Sequence, residues 1–235
     1  MPQTLSSRED LKTDLLQKWI HQILEWIANH RQTFFSISGT LLVVAAVVAF
    51  IISNFKNLRN QAWEKYSAGQ TWALTSQPEN GLNLFNEVIQ NYSHTPAATY
   101  ALLSKGDILF KQRKFQEAMD SYKQCLGKEP PQIILPFALA GLGACQENQG
   151  DYASSISSYK KFISDFPEHF LTPKIYESLG RVYELSLNPD AAKETYEKII
   201  TIFPSTIWSE KARARYQILS PQPFQNQAPP LQETK

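Results

Sequence analysis

Cysteine is almost absent: Cys125 and Cys145 are the only two, and they form no Cys-x-x-Cys pair. Two thiols exclude a disulfide-dense scaffold and leave room for one bridge at most. Histidine is scarce too. His21, His30, His94 and His169 stand apart, without i, i+4 or other metal-ligand spacing, so no metal centre is expected. Nor is one sign of charge in excess. The formal net charge is +1, and the first 33 residues already balance four basic against four acidic side chains. A nucleic-acid surface needs clustered cations to neutralise phosphates, and none is present. A phosphate loop, a Gly-x-Ser-x-Gly elbow and a His-Glu-x-x-His pair are all missing. No catalytic residue, cofactor or small-molecule substrate is therefore expected, and the chain does not read as an enzyme. Asn91-Tyr92-Ser93 is a formal glycosylation sequon, a pattern short enough to arise by chance.

What is present begins with one long apolar run. Residues 34–53 read FFSISGTLLVVAAVVAFIIS, and no charge occurs from Gln32 to Phe55. Twenty helical residues span about 30 Å, the thickness of a hydrocarbon core. A cleaved signal peptide is the rival reading, but its apolar core is usually about 7–15 residues long. A transmembrane helix over 34–53 is expected. Ahead of it, in a leader of 1–33, Leu11, Leu15, Leu16, Trp19, Ile20, Ile23, Leu24, Trp26 and Ile27 form one broad helical stripe. Such a stripe suits a helix lying in the membrane interface, or one packed on a partner protein or a second copy. Lys18 and Arg31 precede the span and Lys56, Arg59 and Lys65 follow it, so charge alone leaves orientation open.

The rest of the chain repeats itself. Gly69, Gly106, Gly143 and Gly180 recur at a 37-residue step, as do Phe85, Tyr122, Tyr159 and Tyr196. Gly81, Ala118, Ser155 and Ala192 keep a small residue in the same frame. Pro130, Pro167 and Pro204 close three units, with Ser93 in the first. The pattern Leu142-Gly143, Gly150-Asp151-Tyr152, Ser155, Tyr159, Pro167 resembles the tetratricopeptide repeat, whose usual period is about 34 residues. The glycine and the small residue would let two antiparallel helices approach, and the aromatic would fill the cleft with the next unit. Each pair has an apolar face that only its neighbour can bury, so the units should stack as a solenoid.

The fold class expected is all-α, with a solenoid over 57–219. Helices 57–76 and 79–92, 96–112 and 115–127, 134–149 and 152–165, 172–187 and 189–202 should pair, with a cap over 206–219. The tail 220–235, rich in proline and glutamine, should be disordered. In this frame Cys125 and Cys145 take small positions on faces that pack together, so two buried thiols and one disulfide both fit.

The Phe166-Pro167 and Phe203-Pro204 junctions with their 37-residue step are similar to the repeats of bacterial cell-envelope proteins. These include the outer-membrane assembly lipoproteins and the Tol-Pal-associated coordinators. The chain lacks the lipobox cysteine of the former and the trimerising coiled coil of the latter. The layout of leader, single span and repeats over residues 1–219 resembles the ancillary subunit of the bacterial Sec translocon (the YfgM family). That resemblance implies a cytoplasmic N-terminus, a periplasmic repeat domain on the inner membrane, association with the Sec translocon and chaperone-like contact with emerging polypeptide.

In the repeat frame Trp63, Tyr66, Tyr100, Leu103, Phe110 and Phe137 turn toward the concave side, and Glu147, Lys174, Glu177, Arg181 and Glu184 follow toward the C-terminus. These form the expected peptide groove, aromatic first and charged later. The same aromatics could instead be buried against the first unit or the membrane. Arrays that grip chaperone C-termini place Lys, Asn and Arg in the groove. The corresponding positions here hold Tyr100, Leu103, Asp107 and Phe137, Ala140, Ala144. The expected function is a membrane-anchored protein-interaction module, as an envelope holdase or scaffold. The alternatives are a cytosol-facing adaptor and a structural subunit of a fixed complex.

Overall fold

The computed structural model describes residues 6–75, 77–128 and 130–220, with side chains from residue 17 onward. Among them are ten helices and no strand: α1 Ser6–Asn29, α2 Arg31–Ala73, α3 Pro78–Asn91, α4 Pro96–Lys111, α5 Phe115–Gly127, α6 Leu135–Asn148, α7 Tyr152–Asp165, α8 Thr172–Leu185, α9 Pro189–Ile202 and α10 Ile207–Leu219. They fall into two compact units, Met1–Asn57 and Leu58–Lys235. The tail expectation, beyond Ser220, lies outside the described residues.

In the first unit, Trp19, Ile20, Ile23, Leu24 and Trp26 of α1 are all exposed. The side chains of Leu11, Leu15 and Leu16 lie outside the description. The apolar part of α2 has a mean hydropathy of 2.6 over 18 residues, and none of that window is buried. By length and composition it can cross a membrane. A separate repeat helix starting at residue 57 does not exist, because α2 runs unbroken from Arg31 to Ala73. The reason is legible afterwards: from Gly39 to Gly69 the sequence holds neither glycine nor proline.

The second unit begins in the last part of α2. Proline sits in the first turn of α3, α4, α6, α8 and α9, where its missing N–H costs nothing. Asp151, Asn188 and Thr206 cap α7, α9 and α10 through side-chain bonds to Ser154, Ala191 and Ser209. Pro167 and Pro204 follow the ends of α7 and α9 by two residues. Successive helices from α3 to α10 pack on one another, and first helices also touch across units, α4 on α6 and α8 on α10. The core is a chain of three clusters. One spans Ala62, Phe85, Leu102, Tyr122, Ala138 and Cys145; the next holds Tyr159, Phe162, Ile175 and Leu179; the last joins Tyr196 and Ile199 to Ala212 of α10. This is a helical solenoid closed at its end by α10.

The turns inside the units repeat as well. Arg113, Gly150 and Leu187, again 37 apart, all have positive φ (62°, 78° and 59°). Only the middle unit puts glycine there, and a side chain in this region is strained. Leu187 is 89% exposed, so its side chain gains nothing by packing. Leu187→Gly should therefore stabilise the fold by about 0.5–1 kcal/mol, seen as a small rise in melting temperature.

Candidate functional site

Each helix pair is built on a glycine and an aromatic ring. A methyl group on Gly69, Gly106, Gly143 or Gly180 would come within 2.6 Å of Phe85, Tyr122, Tyr159 or Tyr196 respectively. Each ring thus lies against the glycine of its own unit, and the core clusters also join it to the next one, as expected: Tyr159 to Ile175 and Leu179 of α8, Tyr196 to Ala212 of α10. Tyr122 reaches the next unit most closely, since a side chain on Gly141 of α6 would strike its ring. The small residue completes the crossing: a methyl group on Gly81 would lie 2.9 Å from the Gly69 carbonyl oxygen, and Ser155 Oγ donates to the Gly143 carbonyl at 2.9 Å.

The tyrosine hydroxyls have a partner that the periodicity did not reveal. Tyr122 donates to Asp107 at 2.7 Å, Tyr159 to Glu147 at 2.9 Å and Tyr196 to Glu184 at 2.6 Å. Burial, then the adjacent carboxylate, pushes all three phenols well above their usual pKa, so they stay protonated donors. Arg181 is the hub of the C-terminal half. It donates to Glu147 at 2.7 and 3.1 Å and to both oxygens of Glu177 at 2.9 Å. The Glu147 bond, more than any other cause, raises its pKa further. Arg215 of α10 pairs with Glu184. Burial works to raise the Glu184 carboxyl, but the bonds from Arg215 and Tyr196 outweigh it and hold its pKa low.

The expected groove residues divide into three groups. Leu103, Phe110, Phe137 and Lys174 gather around a concave cavity of about 250 Å³, whose walls also include Asp107, Tyr122, Ala140, Gly141, Ala144, Tyr159, Leu171, Ile175 and Ser178. Trp63, Tyr66 and Tyr100 instead form a half-buried cluster of their own. Trp63 lies 5.1 Å from Tyr100 and 5.5 Å from Tyr66, and Tyr66 lies 5.7 Å from Phe85, centroid to centroid. Gln70 donates to Tyr66 and to Ser104, tying that cluster down. Glu147 and Arg181 spend their hydrogen bonds on each other and on Tyr159 and Glu177.

The cavity is apolar with one group of each charge. Asp107 remains open to solvent on one side, yet crowding in the recess raises its carboxyl above the usual range, against the pull of the Tyr122 hydroxyl. Lys174 is exposed at the opposite wall. Cys125 and Cys145 are free, buried thiols, and Cys125 Sγ donates to the Thr99 carbonyl at 3.6 Å. Burial, and then the Asp107 charge, pushes their pKa values up to about 11 and about 12. Thiols so shifted are packing groups rather than nucleophiles. Among the described residues no group of three or more His, Cys, Asp or Glu could hold a metal ion.

Comparison with known proteins agrees with this architecture. Tetratricopeptide repeat models match residues 99–130, 138–169 and 173–206. A tetratricopeptide repeat protein from Parabacteroides merdae superposes with a TM-score of 0.59 at 17% identity, over 68% of this chain and 60% of that one. The chain therefore spans less than two thirds of that relative. MamA is similar at a TM-score of 0.53 and 20% identity, over 69% of this chain and 80% of its own. MamA from residue 41 to its end, of Desulfovibrio magneticus RS-1, gives 0.55 at 16% identity, over 68% and 89%. At such identities the likeness is one of fold. No curated protein matches the sequence. Repeats of this kind make a protein–protein interaction module, a scaffold rather than a reaction centre.

Proposed function

We propose that this chain, a tetratricopeptide repeat protein, is anchored in the cytoplasmic membrane by residues 34–53 and uses the concave face of residues 57–219 to hold an apolar segment of another polypeptide outside that membrane. The observation that carries the reading is the cavity of about 250 Å³ walled by Leu103, Phe110, Phe137 and Ala144, open to solvent and flanked by Asp107 and Lys174. It accepts an apolar side chain, and the two charges fit the polar backbone on either side of it. Trp63, Tyr66 and Tyr100 extend the same face, while the Glu147–Arg181 network stiffens it. An exposed apolar helix of sufficient length supports the anchor, with leader 1–33 at its N-terminal side and tail 220–235 beyond the repeats. The layout like that of the translocon-associated family supports a role as envelope holdase or scaffold beside the Sec translocon. No chemistry is assigned to the chain, and no cofactor.

A cytosol-facing adaptor is the second reading, favoured by Lys56, Arg59 and Lys65 on the C-terminal side of the span. A long repeat domain can be translocated despite such charges. A reporter that is active only outside the cytoplasm, fused after Lys235, should be active in intact cells. Activity from a cytoplasmic reporter alone would select the adaptor instead.

A further inference from the structure

The apolar stripe of α1 plays no part in the interaction groove, and the described chain leaves it uncovered. Trp19, Ile20, Ile23, Leu24 and Trp26 are each between 48% and 67% exposed. At about 100° per residue, these five and Ile27 fall within one half of the helix. Lys18, His21, Gln22, Glu25 and Asn29 fall within the other half. The helix also has a defined end. His30 belongs to neither α1 nor α2; its ring stacks on Trp26 at 5.2 Å, and its Nδ1 lies 3.1 Å from the Trp26 carbonyl oxygen. The span therefore belongs to a new helix that starts at Arg31, and α1 is not its rigid extension.

We infer that this stripe rests on the bilayer surface, with α1 lying in the headgroup layer beside the point where α2 enters. The inference depends on the membrane anchor proposed above, and it concerns the first unit alone. Asn29 precedes Phe34, the first residue of the span, by five residues, so no more than about 18 Å of chain separates them. An apolar face tethered that closely to the span has the bilayer within reach. The width of the stripe favours a flat apolar surface over a second helix. In a two-stranded coil, Ile20, Ile23 and Ile27 would form the seam. Trp19 and Trp26 would then stand about a quarter-turn outside it and stay largely in water. A bilayer takes the whole half-face at once. Its headgroup layer also suits an indole, which has an apolar body and one polar N–H. Lys18 and Glu25, the charged side chains of residues 17–29, share the opposite face and carry opposite signs. Zwitterionic lipid is therefore sufficient.

The test uses the full chain in phosphatidylcholine vesicles, labelled at an introduced cysteine with an environment-sensitive fluorophore. The native thiols are buried and do not compete. Labels at Ile20→Cys and, independently, at Ile23→Cys should shift to the blue and be quenched to similar extents by spin-labelled lipid headgroups. A label at Glu25→Cys, on the polar face, should do neither. Equal quenching at 23 and 25 overturns the proposal. So does quenching that falls steadily from a label at Ile27→Cys to one at Ile20→Cys, which describes a helix standing away from the membrane. A blue shift without lipid quenching overturns it too, and assigns the stripe to a second copy of the chain. A label at Ala46→Cys, in the middle of the span, separates the two levels of the argument. Quenching at 46 by lipid spin-labelled deep in its acyl chain, with none at 20 or 23, refutes the interfacial helix alone. No quenching at any of the three positions refutes the anchor with it.

Discussion

Tyr159→Ala is expected to cost the repeat unit about 3–5 kcal/mol, the usual penalty for emptying a buried aromatic site. The ring is 1% exposed and lies against Gly143, so no neighbouring side chain stands ready to fill the space. Its hydroxyl also holds Glu147 in place for Arg181. Tyr159→Phe separates the two contributions. It keeps the ring, loses one charge-assisted hydrogen bond, and should cost about 1.5–3 kcal/mol at most. Phe85 in the first unit shows that the frame tolerates a ring without a hydroxyl. Urea unfolding of the solubilised chain, followed by circular dichroism, gives both numbers. A loss below about 1 kcal/mol for the alanine variant would show that the ring is not a core element.

Ala144→Trp is expected to weaken binding of an unfolded apolar peptide about tenfold or more, equivalent to about 1.4 kcal/mol, while leaving the melting temperature nearly unchanged. Ala144 is half-buried on α6 and lines the cavity without belonging to any of the three core clusters. An indole there would occupy the space assigned to the ligand side chain and keep a residue that helices accept. Tyr100, by contrast, is a poor probe of the groove, because it is held against Trp63 and Tyr66. Calorimetric titration and thermal melts on the same preparation decide the matter. Unchanged affinity would remove the cavity from the binding surface.

The solenoid was legible in the sequence because the same contact recurs at the same step. A glycine under a ring and a small residue at the crossing admit few substitutes, so Gly69, Gly106, Gly143 and Gly180 stand out in register. Helix ends were legible within a few residues for a similar reason, since prolines fix them chemically. The hydroxyl–carboxylate pairs were hidden by two different solutions to one need. Asp107 follows its glycine by one residue, whereas Glu147 and Glu184 follow theirs by four. The contact of Tyr122 with Gly141 was hidden too, because Ser104 and Ser178 occupy that position in the flanking units. The continuity of α2 was readable from the absence of glycine and proline after the span. The division of the concave aromatics was not, because Trp63, Tyr66 and Phe137 share a face and differ only in which rings lie beside them.

The central claim is that the cavity between α4, α6 and α8 holds a segment of another polypeptide while the chain sits in its membrane. A photoreactive amino acid at Ala140, which lines that cavity, tests it in intact cells. The account predicts adducts to polypeptide that form at Ala140, are absent from a matched probe at exposed Asn148, and disappear when Ala144→Trp is added. Adducts that form equally at both probes, or that persist with the cavity filled, would contradict it.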